Sequence, residues 1–485
     1  MSLEKQAVSG VRWMGISAAT VTSLRFVEFA VVAHLLDPKD FGLMVMITVA
    51  ISFAEPFADM GVSNAIIHHQ DSSRKQLSSL YWLNIFASVA VFCLVIASIP
   101  MIEAFYTQPR LRALVPWAAL YFLVTPVGQQ FQVLLQKELK FFELGKVEMI
   151  SAAIGTMVAI LSAVAAQGVF SLIWGQLAVA SSRSALLLKS GWNVWRPDLH
   201  FRWDEVKDYF VFGLYQMGER SLNVLSANVD YLVIGRFLGP QELGIYVLAY
   251  LLVTIPHTRI NPILTRVAFP VFSRKQTDDR ALRRGYVEMI RLLAYVVFPL
   301  LIGIAAVAPV FVPVVFGAEW TAAVPLIRIL ALVGMIKALM NPSGSILLAK
   351  GRPDIGFRWT VLSVVLNGSI FWSVASYGVS AVAWAYMMLS IVHFGIGWLI
   401  LRHVIELGCR EYTAVLQRPL AFSILMGTTM FVGYSLLSGF EVNRLVILMF
   451  LLILGTSVYG SVAFFERDYF RELRALLLNK RRTTV

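Results

Sequence analysis

Apolar runs of roughly 20 residues recur from one end of the chain to the other, separated by short polar segments, and each can cross a hydrocarbon layer of about 30 Å as a helix. The pattern predicts about fourteen spans, near residues 10–36, 41–67, 78–101, 113–136, 147–167, 169–190, 208–238, 243–270, 287–316, 323–349, 357–377, 379–402, 418–438 and 444–465. The first run is too long for the core of a signal peptide and no small-residue cleavage site follows it, so it is expected to be retained as a span. The expected fold class is all-α integral membrane.

Polar positions punctuate the pattern in a way that repeats. His34-Leu35-Leu36-Asp37-Pro38-Lys39-Asp40-Phe41-Gly42-Leu43 returns as Arg236-Phe237-Leu238-Gly239-Pro240-Gln241-Glu242-Leu243-Gly244-Ile245, and Gly168-Val169 with Trp174 returns, in the same order, as Gly378-Val379 with Trp384. Two ordered matches predict duplicated six-helix halves. Six helices separate equivalent loops, which places them on the same membrane side and makes the halves parallel repeats about an axis along the membrane normal. The expected organisation is one lobe over 1–200, a second over 201–402, two additional spans over 403–465 and a basic tail over 466–485. The repeated segment itself reads as a helix start. Asp37 or Gly239 takes the N-cap, proline the first helical position, and Asp40 or Glu242 the first turn, facing the positive helix end.

Composition narrows the function classes. Hydrophobic residues make up 58% and charged residues only 14%, against about 25% charged in an ordinary soluble domain. The two cysteines, Cys93 and Cys409, build neither a disulfide framework nor a zinc site. No loop has room for a soluble catalytic domain and no phosphate-binding G-x-x-x-x-G-K-[ST] loop is present, so the chain is expected to be neither an enzyme nor an ATPase. Most of the 41 Lys and Arg fall in loops that share a side with both chain ends, which predicts cytoplasmic termini. The +12 formal charge then reflects basic residues at anionic lipid headgroups, with no call for nucleic acid.

Ionisable residues inside spans cost about 3 kcal/mol each on insertion scales and are candidates for function. Thr22, Arg25 and Glu28 lie along one face of the first predicted span, and Ser52, Glu55, Asp59 and Ser63 along one face of the second. The seventh carries Gln216, Glu219, Arg220, Asn223 and Asp230. The eighth carries His257, Arg259, Asn261 and Arg266 among Pro256, Pro262 and Pro270, which should kink or interrupt it. The tenth adds Arg328, Lys337 and Asn341. Structural roles compete: Arg25 with Glu28 as an i, i+3 pair, Arg266 as a snorkelling side chain, His257 as a packed polar residue. Gln129, Gln132 and Gln136 form a stripe that suits sugar contact or helix association equally. The cations Arg25, Arg220, Arg259, Arg266, Arg328 and Lys337 slightly outnumber the acids, and guanidinium forks match phosphate oxygens, so an anionic amphiphile is the expected ligand.

Leu35 to Leu43, Ala58-Asp59-Met60-Gly61-Val62, Leu134 to Phe141 and Leu347 to Asp354 resemble the polysaccharide transporter, or Wzx-type flippase, family of the multidrug/oligosaccharidyl-lipid/polysaccharide exporter superfamily. The opening third is most similar to the colanic acid and teichuronic acid exporter branch. The resemblance implies two six-helix lobes forming a V around a central cavity, with two further helices. It implies movement of an undecaprenyl-pyrophosphate-linked oligosaccharide repeat unit from the inner to the outer leaflet of the bacterial plasma membrane, for exopolysaccharide, capsule or O-antigen. The lipid-linked oligosaccharide would be the substrate, with polysaccharide polymerase and assembly proteins as partners. Arg25, Arg220, Arg259, Arg266, Arg328 and Lys337 are the candidate cavity cations. No resident cofactor or metal is expected, and coupling to H+ or Na+ would run through Glu28, Glu55, Asp59 or Asp230. The competing functions are an ion-coupled multidrug antiporter, whose cavity should be acidic and aromatic, and a membrane-embedded transferase, which needs a polar catalytic loop.

Overall fold

The computed structural model describes residues 3–63, 66, 73–274, 278–461, 464 and 466, and no strand occurs among them. The helices in chain order are α1 Leu3–Ala33, α2 Pro38–Asp59, α3 Arg74–Ala97, α4 Ile99–Tyr106, α5 Leu111–Ala119, α6 Tyr121–Lys137, α7 Phe141–Val164 and α8 Val169–Gly191. There follow α9 Lys207–Arg274, α10 Asp279–Val315, α11 Ala323–Met340, α12 Ser343–Ala349, α13 Pro353–Val374, α14 Val379–Ile405, α15 Cys409–Leu437 and α16 Arg444–Gly460.

Eleven of the described helical stretches are long and apolar enough to cross a membrane. Three more crossings complete the expected fourteen. α8 is diluted by Gln176, Arg183 and its serines; α16 is short; and the stretch Gln216–Ile255 is two spans joined end to end, because Gly239 (φ 81°, ψ −176°) leaves the helical region within α9. The prolines of the eighth span do not interrupt it. Gly239 is the non-helical residue of α9, and the backbone stays helical through Pro256, Pro262 and Pro270 to Arg274. Each proline removes one amide donor, and they stand far enough apart for the intervening turns to keep their ladder. α10 begins earlier than its apolar run because the Asp278 side chain accepts from the Ala281 amide (3.0 Å) and caps a polar first turn.

The chain divides into two compact units. The first runs from the amino end to Val247 and includes Phe371–Val379; the second comprises Leu248–Ile370 and the chain from Ser380 onward. In the first unit, Leu80, Tyr81, Phe131, Leu187, Trp195 and Val206 form a buried cluster. The linker after α8 is bolted to α3: the Trp82 indole donates to Asp198 O (2.9 Å), the Ser79 hydroxyl to Glu205 (2.7 Å), and the Arg202 amide to Ser79 Oγ (3.1 Å). The Ser79 hydroxyl, with the His200 ring, holds the Glu205 carboxyl below the usual carboxylate range. Phe237 meets Trp372 edge-on at 4.7 Å, tying Phe371–Val379 to the same unit. In the second unit, Trp320 is fully buried, Tyr286 stacks on Tyr412, and Glu466 lies between Arg418 (2.8 Å) and Arg291 (3.4 Å).

The two copies of the repeated segment meet within the first unit. Asp37 is the N-cap of α2 with Pro38 opening the helix, as the sequence predicts, although the Asp37 side chain makes no capping hydrogen bond. A Cβ built on Gly42 would stand 1.8 Å from the Pro240 carbonyl oxygen, and one on Gly244 would stand 1.8 Å from that of Pro38. The contact is reciprocal, and it is backbone against backbone. Only a residue without a side chain permits it.

Candidate functional site

Asp59 is the last residue of α2, one turn beyond Glu55, and Met60 closes the helix in the left-handed region (φ 47°). A carboxylate there faces the negative end of the helix dipole, and Asp59 is only 3% exposed. Three donors compensate. Arg220 Nη1 donates to Oδ2 (2.6 Å), while Oδ1 accepts from the Ser63 hydroxyl (2.5 Å) and from Gln129 Nε2 (2.6 Å). Gln129 also donates to Ser63 Oγ (3.1 Å), so the group is closed. Four segments of chain converge here: the end of α2, the turn after it, α6 and the first half of α9.

Around this group lies a cleft of about 360 Å³, lined among others by Ser52, Glu55, Asp59, Gln129, Arg220 and Asn223. Of the predicted polar face of the second span, Ser52, Glu55 and Asp59 line this cleft, and Ser63 bonds Asp59 without lining it. Tyr121 donates to Glu55 Oε1 (3.1 Å) on its wall. Arg220 and Asn223, three residues apart on α9, present their side chains to the same space. The Arg220 side chain is 39% exposed, against 4% for its partner. A guanidinium carries five N–H donors, and the bond to Asp59 uses one nitrogen. A half-wet arginine with donors to spare, on a polar cleft inside membrane-spanning helices, suits an anion of phosphate geometry.

The other predicted residues are placed differently. Glu28 accepts from Thr156 on α7 (2.9 Å), and Arg25 is exposed on α1 and is not among the cleft's lining residues. Asp230 is buried, accepting from the Tyr246 hydroxyl (2.9 Å) and the Tyr231 amide (3.0 Å), which ties together the two arms of α9 that flank Gly239. In the second unit Arg328 is exposed on α11. Lys337 donates to the Tyr250 hydroxyl (3.0 Å) and to that of Tyr386, with its ammonium 5.3 Å and 4.6 Å from the two ring centres. The rings are stacked at 16°. The side chains of His257, Arg259 and Arg266 lie outside the described residues, as does the chain beyond Glu466.

Sequence reasoning left the glutamine stripe undecided and missed a second cluster. Gln132 accepts from Arg183 Nη2 (3.1 Å), which stands 3.9 Å from Glu148, itself bonded by Ser17 (3.0 Å). Arg183 was visible as a charge within a predicted span, yet without helical periodicity to partner it. Gln130, outside the stripe, donates to Leu77 O (2.7 Å) and joins α6 to α3. The tyrosines holding Lys337 carry no charge, so no sequence signal set them apart.

Comparison with known proteins places this arrangement. Residues 31–325 match the family model described as "Polysaccharide biosynthesis protein". The chain is 40% identical to the teichuronic acid biosynthesis protein TuaB of Bacillus subtilis (strain 168) over 90% of both chains. It is 31% identical to the lipopolysaccharide biosynthesis protein WzxC of Escherichia coli (strain K12), covering 90% of this chain and 88% of that one. In fold it is similar to the lipid II flippase MurJ in an inward closed conformation, with a TM-score of 0.70 over 94% of this chain and 99% of that chain at 14% identity. Helices that cross the membrane many times and these similarities lead to one conclusion: the chain belongs to the polysaccharide biosynthesis protein family, as a multi-pass membrane protein.

Proposed function

We propose that the protein flips an undecaprenyl-pyrophosphate-linked oligosaccharide repeat unit from the inner to the outer leaflet of the bacterial plasma membrane, by alternating access, with both termini cytoplasmic. The observation that carries this is Arg220, half exposed on the cleft with Asn223, Gln129 and Glu55 around it. The arginine takes the diphosphate, the amides and the carboxylate suit sugar hydroxyls, and the prenyl chain stays in lipid. The volume admits a diphosphate with its first sugar, and the rest of the glycan requires the cleft to widen as the protein changes state. Its similarity to proteins of teichuronic acid and lipopolysaccharide biosynthesis supports a role in surface polysaccharide assembly. Coupling to a proton or sodium gradient falls most naturally to Glu55, which is exposed on the cleft wall beside its donor Tyr121, because Glu28 and Asp230 do not line the cleft and Asp59 is buried against Arg220.

In cells lacking the gene, the lipid-linked repeat should accumulate on the inner leaflet, and the wild-type chain should restore its appearance outside. Arg220→Ala, at equal membrane abundance, should not restore it, while Arg220→Lys should restore part as a point charge. Full restoration by Arg220→Ala would remove the cationic cleft from the mechanism. Wild-type export of cationic drugs with no effect on the lipid-linked repeat would replace this substrate with the antiporter's.

A further inference from the structure

We propose that Asp59 is an internal counter-ion which Arg220 exchanges for the phosphate of its ligand, and that Gln129 and Ser63 are positioning residues which hold the carboxylate ready for that exchange. The inference rests on the cleft reading given above and concerns how that cleft is controlled.

The pair is asymmetric in a way that decides which partner moves. The Asp59 side chain is 4% exposed and fixed at the end of α2, whereas the Arg220 side chain is 39% exposed and reaches it from the cleft. The donors are divided too. Oδ2 is served by Arg220, and Oδ1 by Ser63 and Gln129. When Arg220 turns away, the carboxylate keeps two hydrogen bonds and stays in place. A buried carboxylate with no other donor would be left uncompensated, and the arginine could not leave.

The two contacts open to Arg220 differ in kind. Arg220 meets Asp59 through a single nitrogen, while a diphosphate offers the guanidinium a two-pronged contact of the stronger kind. The ligand therefore wins the arginine when it arrives. Asp59, lying at the negative end of its helix with one donor fewer, draws the arginine back when the cleft opens to the other side. The exchange limits binding strength and thereby permits release. Too tight a grip would stall the cycle, since a carrier must bind without trapping its cargo.

The two kinds of substitution should act with opposite sign. The purified full-length chain in detergent is titrated with farnesyl pyrophosphate, with farnesol as the uncharged comparator. Asp59→Asn removes the competitor and should bind farnesyl pyrophosphate about five to tenfold more tightly while exporting more slowly in cells. Gln129→Leu leaves Asp59 more dependent on Arg220 and should bind it severalfold more weakly, and Ser63→Ala should move the same way by less. Farnesol affinity should not change in either. If Arg220→Ala weakens pyrophosphate binding but Asp59→Asn leaves it equal or weaker, the exchange is overturned while the cleft assignment stands. If Arg220→Ala leaves binding unchanged, the cleft assignment itself falls. Should Asp59→Asn fail to yield a monodisperse protein, Gln129→Leu decides: unchanged or tighter binding overturns the proposal.

Discussion

The junction of the two repeated segments and the Asp59 cleft lie in the same unit and are built on opposite principles. At the junction, Gly42 and Gly244 bring backbone against backbone, and the same residue types do the same work twice. In the cleft, an aspartate, a serine, a glutamine and an arginine from different segments of the chain meet through their side chains. Backbone contact tolerates almost no substitution but has little chemistry. A side-chain network of mixed exposure is cheaper to alter structurally and carries the chemistry. The repeated segments carry the backbone contact, and the cleft residues lie outside them.

Four substitutions test this contrast. Gly42→Val should have the largest effect, because its Cβ meets a carbonyl oxygen with no room to give. A cost of about 3 kcal/mol or more is expected, read as loss of the monodisperse peak in detergent, and a protein with wild-type thermal stability would show that the junction yields. Arg220→Ala should leave thermal stability within about 1 kcal/mol of wild type, as for a partly exposed ion pair, but reduce export at least about tenfold, equivalent to about 1.4 kcal/mol. A stability loss as large as that of Gly42→Val would make the cleft structural and erase the difference between the regions. Tyr246→Phe removes the hydroxyl that serves buried Asp230 and should cost about 1–3 kcal/mol of stability with export per folded molecule unchanged. Reduced export at full stability would move Asp230 to the chemistry. Pro38→Ala should cost least, below about 1 kcal/mol, since proline at the first helical position acts mainly by restricting the unfolded chain; thermal melts in detergent resolve it.

The cleft was legible in part. Of the face Ser52, Glu55, Asp59 and Ser63, which follows from helical spacing, the first three residues line the cavity and Ser63 does not. That Arg220 would pair with Asp59, while Arg25 would stand apart from the cleft, does not follow from spacing, because it depends on which helices pack together. Asp230 stands at the same distance from Glu28 as Pro240 from Pro38, yet Tyr246 engages Asp230 and Thr156 engages Glu28. Matching position in the two copies did not mean matching partners.

By itself the sequence determined the solvent, the crossing number and the helix starts. Apolar runs can satisfy their backbone groups in lipid only as helices, and proline and glycine constrain the backbone wherever they occur. Only the tertiary structure decided the partners: that the repeated glycines face each other, that Gln129 rather than Gln132 reaches Asp59, and that Lys337 rests between two phenols. The first kind of information is local, set by each residue's own torsions and transfer energy. The second is set by distances between helices far apart in the chain, which no single helix encodes.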